Sequence, residues 1–197
     1  MKPTQSFRIA IGLSQLLFTA LLPIWLKLLS YLHPVVLPVV WICVTLFVFF
    51  AVYYLRKESI HIHAFIIKMA LSLYSLGLFI LLFFRPANQE YTEINLIPFR
   101  TIIHFLSEQG NFLIAFYNIT ANILLFIPYG IAALMLYKNL SKARRFLTPL
   151  VVILLIETAQ HLTKRGSMDI DDLILNLLGV WLGYLLYPYI NKVIKTC

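Results

Sequence analysis

Long apolar runs separated by short, mostly basic connections constrain this chain more than any other feature. The runs cover about Ile9–Leu32, Val35–Leu55, Ala64–Phe84, Asn118–Tyr137, Phe146–Leu162 and Asp169–Tyr189. Each is close to the roughly 20 residues a helix needs to cross a hydrocarbon core about 30 Å thick. Within lipid, a helix satisfies its own backbone hydrogen bonds, so consecutive runs of this length read as transmembrane helices. The chain has 197 residues, 61% of them hydrophobic and only 12% charged, and its mean hydropathy is +0.86. A soluble domain carries about 25% charged residues, and disordered segments are poor in apolar residues, so both classes are excluded. The expected fold is all-α: a polytopic transmembrane helical bundle of about six spans. Six spans leave no room for an appended soluble domain.

The formal charge of +8 does not point to nucleic acid, because the basic residues lie in small groups between apolar runs rather than on one face. Their distribution instead gives orientation. The segments at the N-terminus, 56–63, 138–145 and the C-terminus carry Lys2, Arg8, Arg56, Lys57, Lys138, Lys142, Arg144, Arg145, Lys192 and Lys195. The alternate set, 30–34, 85–117 and 163–168, carries Arg85, Arg100, Lys164 and Arg165. Lysine and arginine favour the cytoplasmic side, so both termini are expected in the cytoplasm, with the long 85–117 connection and the 163–168 loop facing outward. The first run is longer than the roughly 7–15 apolar residues of a secretory signal and lacks a small-residue cleavage site, so it reads as a retained span, kinked at Pro23. Lys68, one turn inside the third run, is placed to snorkel to the interface. Cys43 and Cys197 define no disulfide framework, and His61, His63 and His104 read as interfacial residues, not metal ligands.

Within 85–117, Phe99, Ile102, Ile103 and Leu106 recur at helical spacing, with Arg100, Thr101, His104, Ser107 and Glu108 opposite. This pattern predicts a short amphipathic helix lying in the interface. The organisation expected is one membrane domain, with residues 1–90 a three-span N-terminal extension and 91–190 the core.

Polar groups inside spans are functional candidates. On the sixth run, Asp169, Asp172, Asn176, Gly179 and Gly183 are spaced 3, 4, 3 and 4 apart, which places all five on one stripe. The small-xxx-small end permits close helix approach, so Gly179 and Gly183 read as packing positions. On the fifth run Glu157, Gln160 and His161 share a face. By helix rise, Glu157, Asn176 and Asn122 reach a similar depth of roughly 6–10 Å below the outer ends of their helices. A polar pocket open to the outside follows, rimmed by Lys164, Arg165, Asp169, Asp171 and Asp172. The same residues are also consistent with interhelical hydrogen bonds that lock the bundle, and with Pro128 as a kink.

Four blocks, in order, resemble the VanZ family of bacterial membrane proteins. They are Asn95-Leu96-Ile97-Pro98-Phe99; Asn122 through Pro128-Tyr129-Gly130; Glu157-Thr158-Ala159-Gln160; and Arg165-Gly166-Ser167-Met168-Asp169-Ile170-Asp171-Asp172 through Asn176 to Gly179, with Gly183 beyond. They span about 95–185, and Tyr129 departs from the smaller or different residue common there. The resemblance implies a multi-pass protein of the bacterial cell membrane that alters susceptibility to teicoplanin, a lipoglycopeptide, or handles an envelope component. Its motif positions are Asn95, Pro98, Phe99, Asn122, Pro128, Gly130, Glu157, Gln160, Arg165, Asp169, Asp171, Asp172 and Asn176. The partners implied are membrane lipids and a lipid-linked cell-wall precursor or the drug itself; no cofactor and no metal are assigned. An intramembrane enzyme acting on a lipid-linked phosphate, with Asp169, Asp171, Asp172 and Glu157 holding Mg²⁺ or exchanging protons, stays open as a second reading. Transport is disfavoured by the lack of internal repeats.

Overall fold

The computed structural model describes residues 5–29, 36–84, 94–107, 112–137, 139–166 and 168–197. Lys2, Arg85, Glu108, Lys138 and Ser167, which enter the charge and motif arguments, lie outside the described residues, as does the His104 side chain. The elements run α1 (Gln5–Ala20), α2 (Leu22–Leu29), α3 (Val36–Leu55), β1 (Ile60–Ile62), α4 (Ala64–Phe83), β2 (Ile94–Asn95), α5 (Arg100–Ser107), α6 (Phe112–Leu136), α7 (Lys142–Leu162), β3 (Met168–Asp169), α8 (Ile170–Val193) and β4 (Ile194–Thr196).

The all-helical expectation holds. Four helices are long and apolar enough to cross a membrane: Ala64–Phe83, Asn118–Leu136, Lys142–Leu162 and Ile170–Val193. A shorter apolar stretch, Val40–Leu55, lies in α3. The first run is divided into α1 and α2 at Leu21, two residues before Pro23, whose ring cannot follow a regular helical turn. The amphipathic pattern in the long connection forms α5, two turns long.

Two compact units result. One comprises Met1–His61 with Lys192–Lys195, the other Ile62–Asn191 with Thr196–Cys197. In the first, α1 presents Ser6, Ala10 and Ser14, spaced four apart and fully buried. Small residues at that spacing let α3 approach closely. Val48 and Val52 pack against Ala10, Phe7 meets Phe49 edge-on at 5.5 Å between ring centroids, and Trp41 Nε1 donates to Gln15 Oε1 (2.9 Å).

In the second unit the burial pattern is inverted relative to a soluble protein. Leu73, Leu155 and Leu185 are 66, 64 and 67% exposed, whereas Glu157, Asn176 and Asp171 are 4, 4 and 1% exposed. Large apolar side chains exposed all along four long apolar helices mark a membrane-facing surface, and buried polar groups must find partners. The chain is an integral membrane protein on these grounds. Its apolar centre is Leu78, Phe126, Ile153, Leu177 and Val180, drawn from α4, α6, α7 and α8.

The α6–α8 contact is backbone on backbone. A Cβ added to Gly179 would collide with the Ile123 carbonyl, and one on Gly183 with the Ile127 carbonyl. A Cβ on Gly183 would also lie 2.8 Å from the Cα of Gly130. Only glycine fits at these three crossings. Pro128 sits inside α6 without ending it; one turn earlier the Leu125 carbonyl accepts the Tyr74 hydroxyl from α4 (2.9 Å).

Candidate functional site

The polar residues of the second unit gather where α8 begins, and the arrangement starts from helix capping. Asp169 precedes α8 and its Oδ1 accepts from the Asp171 amide (2.9 Å), which makes it the N-cap. Asp171 and Asp172 then fall in the first turn, where the helix dipole favours negative charge. The chain just before α8 is extended and pairs in parallel with β2, Ile94 opposite Met168 and Asn95 opposite Asp169. This short pairing carries Asn95 to Asp169: Asn95 Nδ2 donates to Asp169 Oδ1 (3.1 Å) and to Thr101 Oγ1 (2.9 Å). The Thr101 hydroxyl donates in turn to Asp169 Oδ2 (2.6 Å).

Asp171 acts on a second helix. Its Oδ1 accepts from the Phe99 amide (2.5 Å), and its Oδ2 from the amides of Thr101 (2.8 Å) and Ile102 (3.1 Å). These are N-terminal amides of α5, which have no partner inside their own helix. A carboxylate from α8 therefore caps α5, more than 60 residues away in sequence. Phe99 adopts a left-handed conformation (φ 66°) at this junction. The Asn95 side chain closes the local turn by accepting from the Ile97 amide (3.2 Å). Pro98 and Phe99 point outward, and Ile94, Leu96, Ile97, Phe99 and Ile103 are each more than half exposed. An apolar edge of this kind suits the bilayer interface.

Further along α8, Asn122 Nδ2 of α6 donates to Asp172 Oδ1 (2.6 Å), and Asn176 Nδ2 donates to Glu157 Oε1 of α7 (3.2 Å). Thus Glu157 is joined to Asn176, while Asn122, expected at the same depth, is joined to Asp172. Gln160 Nε2 reaches the Leu82 carbonyl in the last turn of α4 (3.3 Å). Arg165 follows α7 at a tight C-terminal turn in which Lys164 is left-handed (φ 54°) and the Arg165 amide donates to the Gln160 carbonyl (2.9 Å). Among the described residues no group of three or more His, Cys, Asp or Glu is arranged to hold a metal ion. Thr101 was not singled out from the sequence as a site residue; a hydroxyl six positions after Asn95 on the polar face of α5 was the available signal.

Glu157 and Asn176 give a direct test of what the buried pair needs. The Asn176 Oδ1 atom is buried with no donor. A glutamine at 157 keeps the acceptor for Asn176 Nδ2 and adds an N–H for that orphaned oxygen. Glu157→Gln is expected to unfold in detergent at or above the wild-type temperature, with a gain of up to about 1 kcal/mol. Glu157→Leu, which strands both ends of Asn176, is expected to lose roughly 2–3 kcal/mol.

An all-helical membrane bundle whose long connection is latched to the start of its last span by two buried aspartates is the class this fold and site define. The chain belongs to the VanZ/LLP1 family, whose model matches residues 35–192. Among curated relatives, Protein VanZ of Enterococcus faecium is 31% identical over 105 residues, which is 53% of this chain. The aligned stretch is 58% of that relative's own length. No solved structure matches the chain.

Proposed function

We propose that this protein alters the susceptibility of the bacterial envelope to teicoplanin-type lipoglycopeptides, or handles an envelope component those drugs engage. The reading rests on family membership and on one observation: Asn95, Asn122, Asp169, Asp171 and Asp172, from separate blocks of the chain, are joined around the start of α8. Basic residues favour the cytoplasm, and the count along the chain puts both termini there. That orientation turns the α8 start, with Lys164 and Arg165 beside it, to the outer surface where such drugs act. In this reading Asn122 and Asp172, with Lys164 and Arg165, line an outward pocket, Asp169 and Asp171 being buried beneath it as latches, and the partner is a lipid-linked precursor or the drug.

Glu157 and Asp172 are the residues on which the reading depends. A carboxylate buried in a span is costly, and such groups are retained at functional positions. Expressed in a sensitive Gram-positive host, the wild-type chain is expected to raise the inhibitory concentration of teicoplanin and to leave that of vancomycin unchanged. Glu157→Gln and Asp172→Asn, at matched membrane levels, are expected to abolish the rise. No rise with the wild type, or full activity in both variants, would contradict the proposal.

A further inference from the structure

The second unit also contains a cavity of about 1000 Å³ that runs along the bundle between α4 and α7, floored by α6 and α8. Its α4 wall is a regular helical face that runs from Lys68 to Phe83. As successive spans, α4, α6 and α7 cross in alternate directions, so α4 and α7 run the same way, and a hydrogen bond sets their level. Gln160 of α7 is level with Leu82 of α4, so fourteen residues earlier on each helix Lys68 is level with about residue 146. Arg144, which also lines the cavity, therefore stands at the same end as Lys68. Tyr184 joins them there, its hydroxyl donating to the Arg145 carbonyl (3.2 Å). Both cations are exposed, and none of the described lining residues is acidic. The rest of the wall is apolar apart from a few hydroxyls, of which Tyr129 donates to Ser75 (3.0 Å).

A groove with two cations at one end and an apolar wall beyond has the polarity of a single amphiphile with an anionic head. Its length selects the tail. From Lys68 to Leu82 the α4 face rises about 21 Å, whereas one leaflet is half of a core about 30 Å thick. A phospholipid chain ends near the midplane, and the groove continues past it. We propose that this groove binds a long-chain polyprenyl monophosphate, with the phosphate on Lys68 and Arg144 and the isoprenoid chain along α4 and α7. The charged end of the groove lies away from the cluster at the start of α8, and the proposal does not depend on the resistance reading; that reading is tested by drug susceptibility and this one by lipid binding.

The test is native mass spectrometry of the purified full chain in detergent, with equal amounts of undecaprenyl phosphate, undecaprenol and phosphatidylglycerol added. The expected result is a single undecaprenyl phosphate adduct, favoured by at least about tenfold over undecaprenol, which lacks the charge-assisted pair, and favoured also over phosphatidylglycerol, whose chains are too short to fill the groove. Lys68→Gln with Arg144→Gln should weaken it by more than about tenfold, while Lys142→Gln, whose side chain does not line the groove, should leave it unchanged. Ala133→Trp, which fills the groove floor without removing a charge, should weaken binding of the phosphate as well. Equal retention of phosphatidylglycerol, equal retention of undecaprenol, or an adduct indifferent to both the charge and the groove-filling changes would overturn the proposal.

Discussion

Replacing Asp171 by alanine is expected to release the long connection from the bundle and to lower stability by about 3 kcal/mol or more. The side chain is 1% exposed and accepts three amides, those of Phe99, Thr101 and Ile102. Without it these three amides lose their acceptor, and each buried N–H left unpaired costs about 1–3 kcal/mol. The full sum is not reached, because a released segment at the interface recovers some hydrogen bonds from water. Asp171→Asn is expected to be little better: an amide NH₂ in place of one carboxylate oxygen faces backbone donors instead of accepting from them. In a chain of this size the alanine change corresponds to a loss of roughly 6–12 °C in unfolding temperature. Thermal unfolding in detergent measures it. A change of less than about 1 kcal/mol would mean that α5 is held by something other than this carboxylate.

The second large effect concerns the glycines between α6 and α8. Gly183→Ala places a methyl against the Ile127 carbonyl and the Gly130 Cα, and Gly179→Ala places one against the Ile123 carbonyl. The obstructing atoms are backbone, so no side chain can rotate away and the helices must separate. Each change is expected to cost about 1–3 kcal/mol, the range for overpacking. The double variant should fall short of the sum, since the first separation relieves the second clash. Gly12 of α1 and Gly77 of α4 provide the control, because a Cβ at either meets nothing within 4 Å. Alanine there removes a helix-weakening residue and is expected to be neutral or stabilising by up to about 1 kcal/mol. Equal behaviour of the four alanine variants would contradict the close α6–α8 crossing.

These effects also show which parts of the molecule were legible in the sequence. Four of the six expected spans were, because a run of about 20 apolar residues has one stable form in a bilayer. So was the face of α8 that turns to protein, since the spacing of Asp169, Asp172, Asn176, Gly179 and Gly183 is fixed by helix geometry. The short helix at 100–107 was visible through its periodicity, because an interface sorts apolar from polar sides. Partner assignments were less visible. Helix rise alone put Glu157, Asn176 and Asn122 at one level, but the direction of each side chain decides that Asn176 meets Glu157 and Asn122 meets Asp172. The role of Asp171 left no pattern at all, because its partners are backbone amides that any sequence would supply. The break at Leu21 rather than Pro23 reflects the reach of the proline ring into the preceding turn. Lys68 read as a snorkelling residue; the groove it lines exists only once α4 and α7 stand side by side.

The convergence of the distant segments at the start of α8 is tested most directly by covalent capture of the β2–β3 pairing. In a background without Cys43 and Cys197, the two free cysteines, Ile94→Cys and Met168→Cys place thiols on residues that face each other in register. Paired strands hold their Cα atoms within the roughly 4.4–6.8 Å that a disulfide spans. A protease site inserted at the α6–α7 loop then reports the link. Oxidised in intact membranes and cleaved, the fragments are expected to migrate together until reduced, and adding Asp171→Ala should weaken that link. Fragments that separate without reductant would show that the 94–102 segment does not rest on α8, and the candidate site would not exist in the form described.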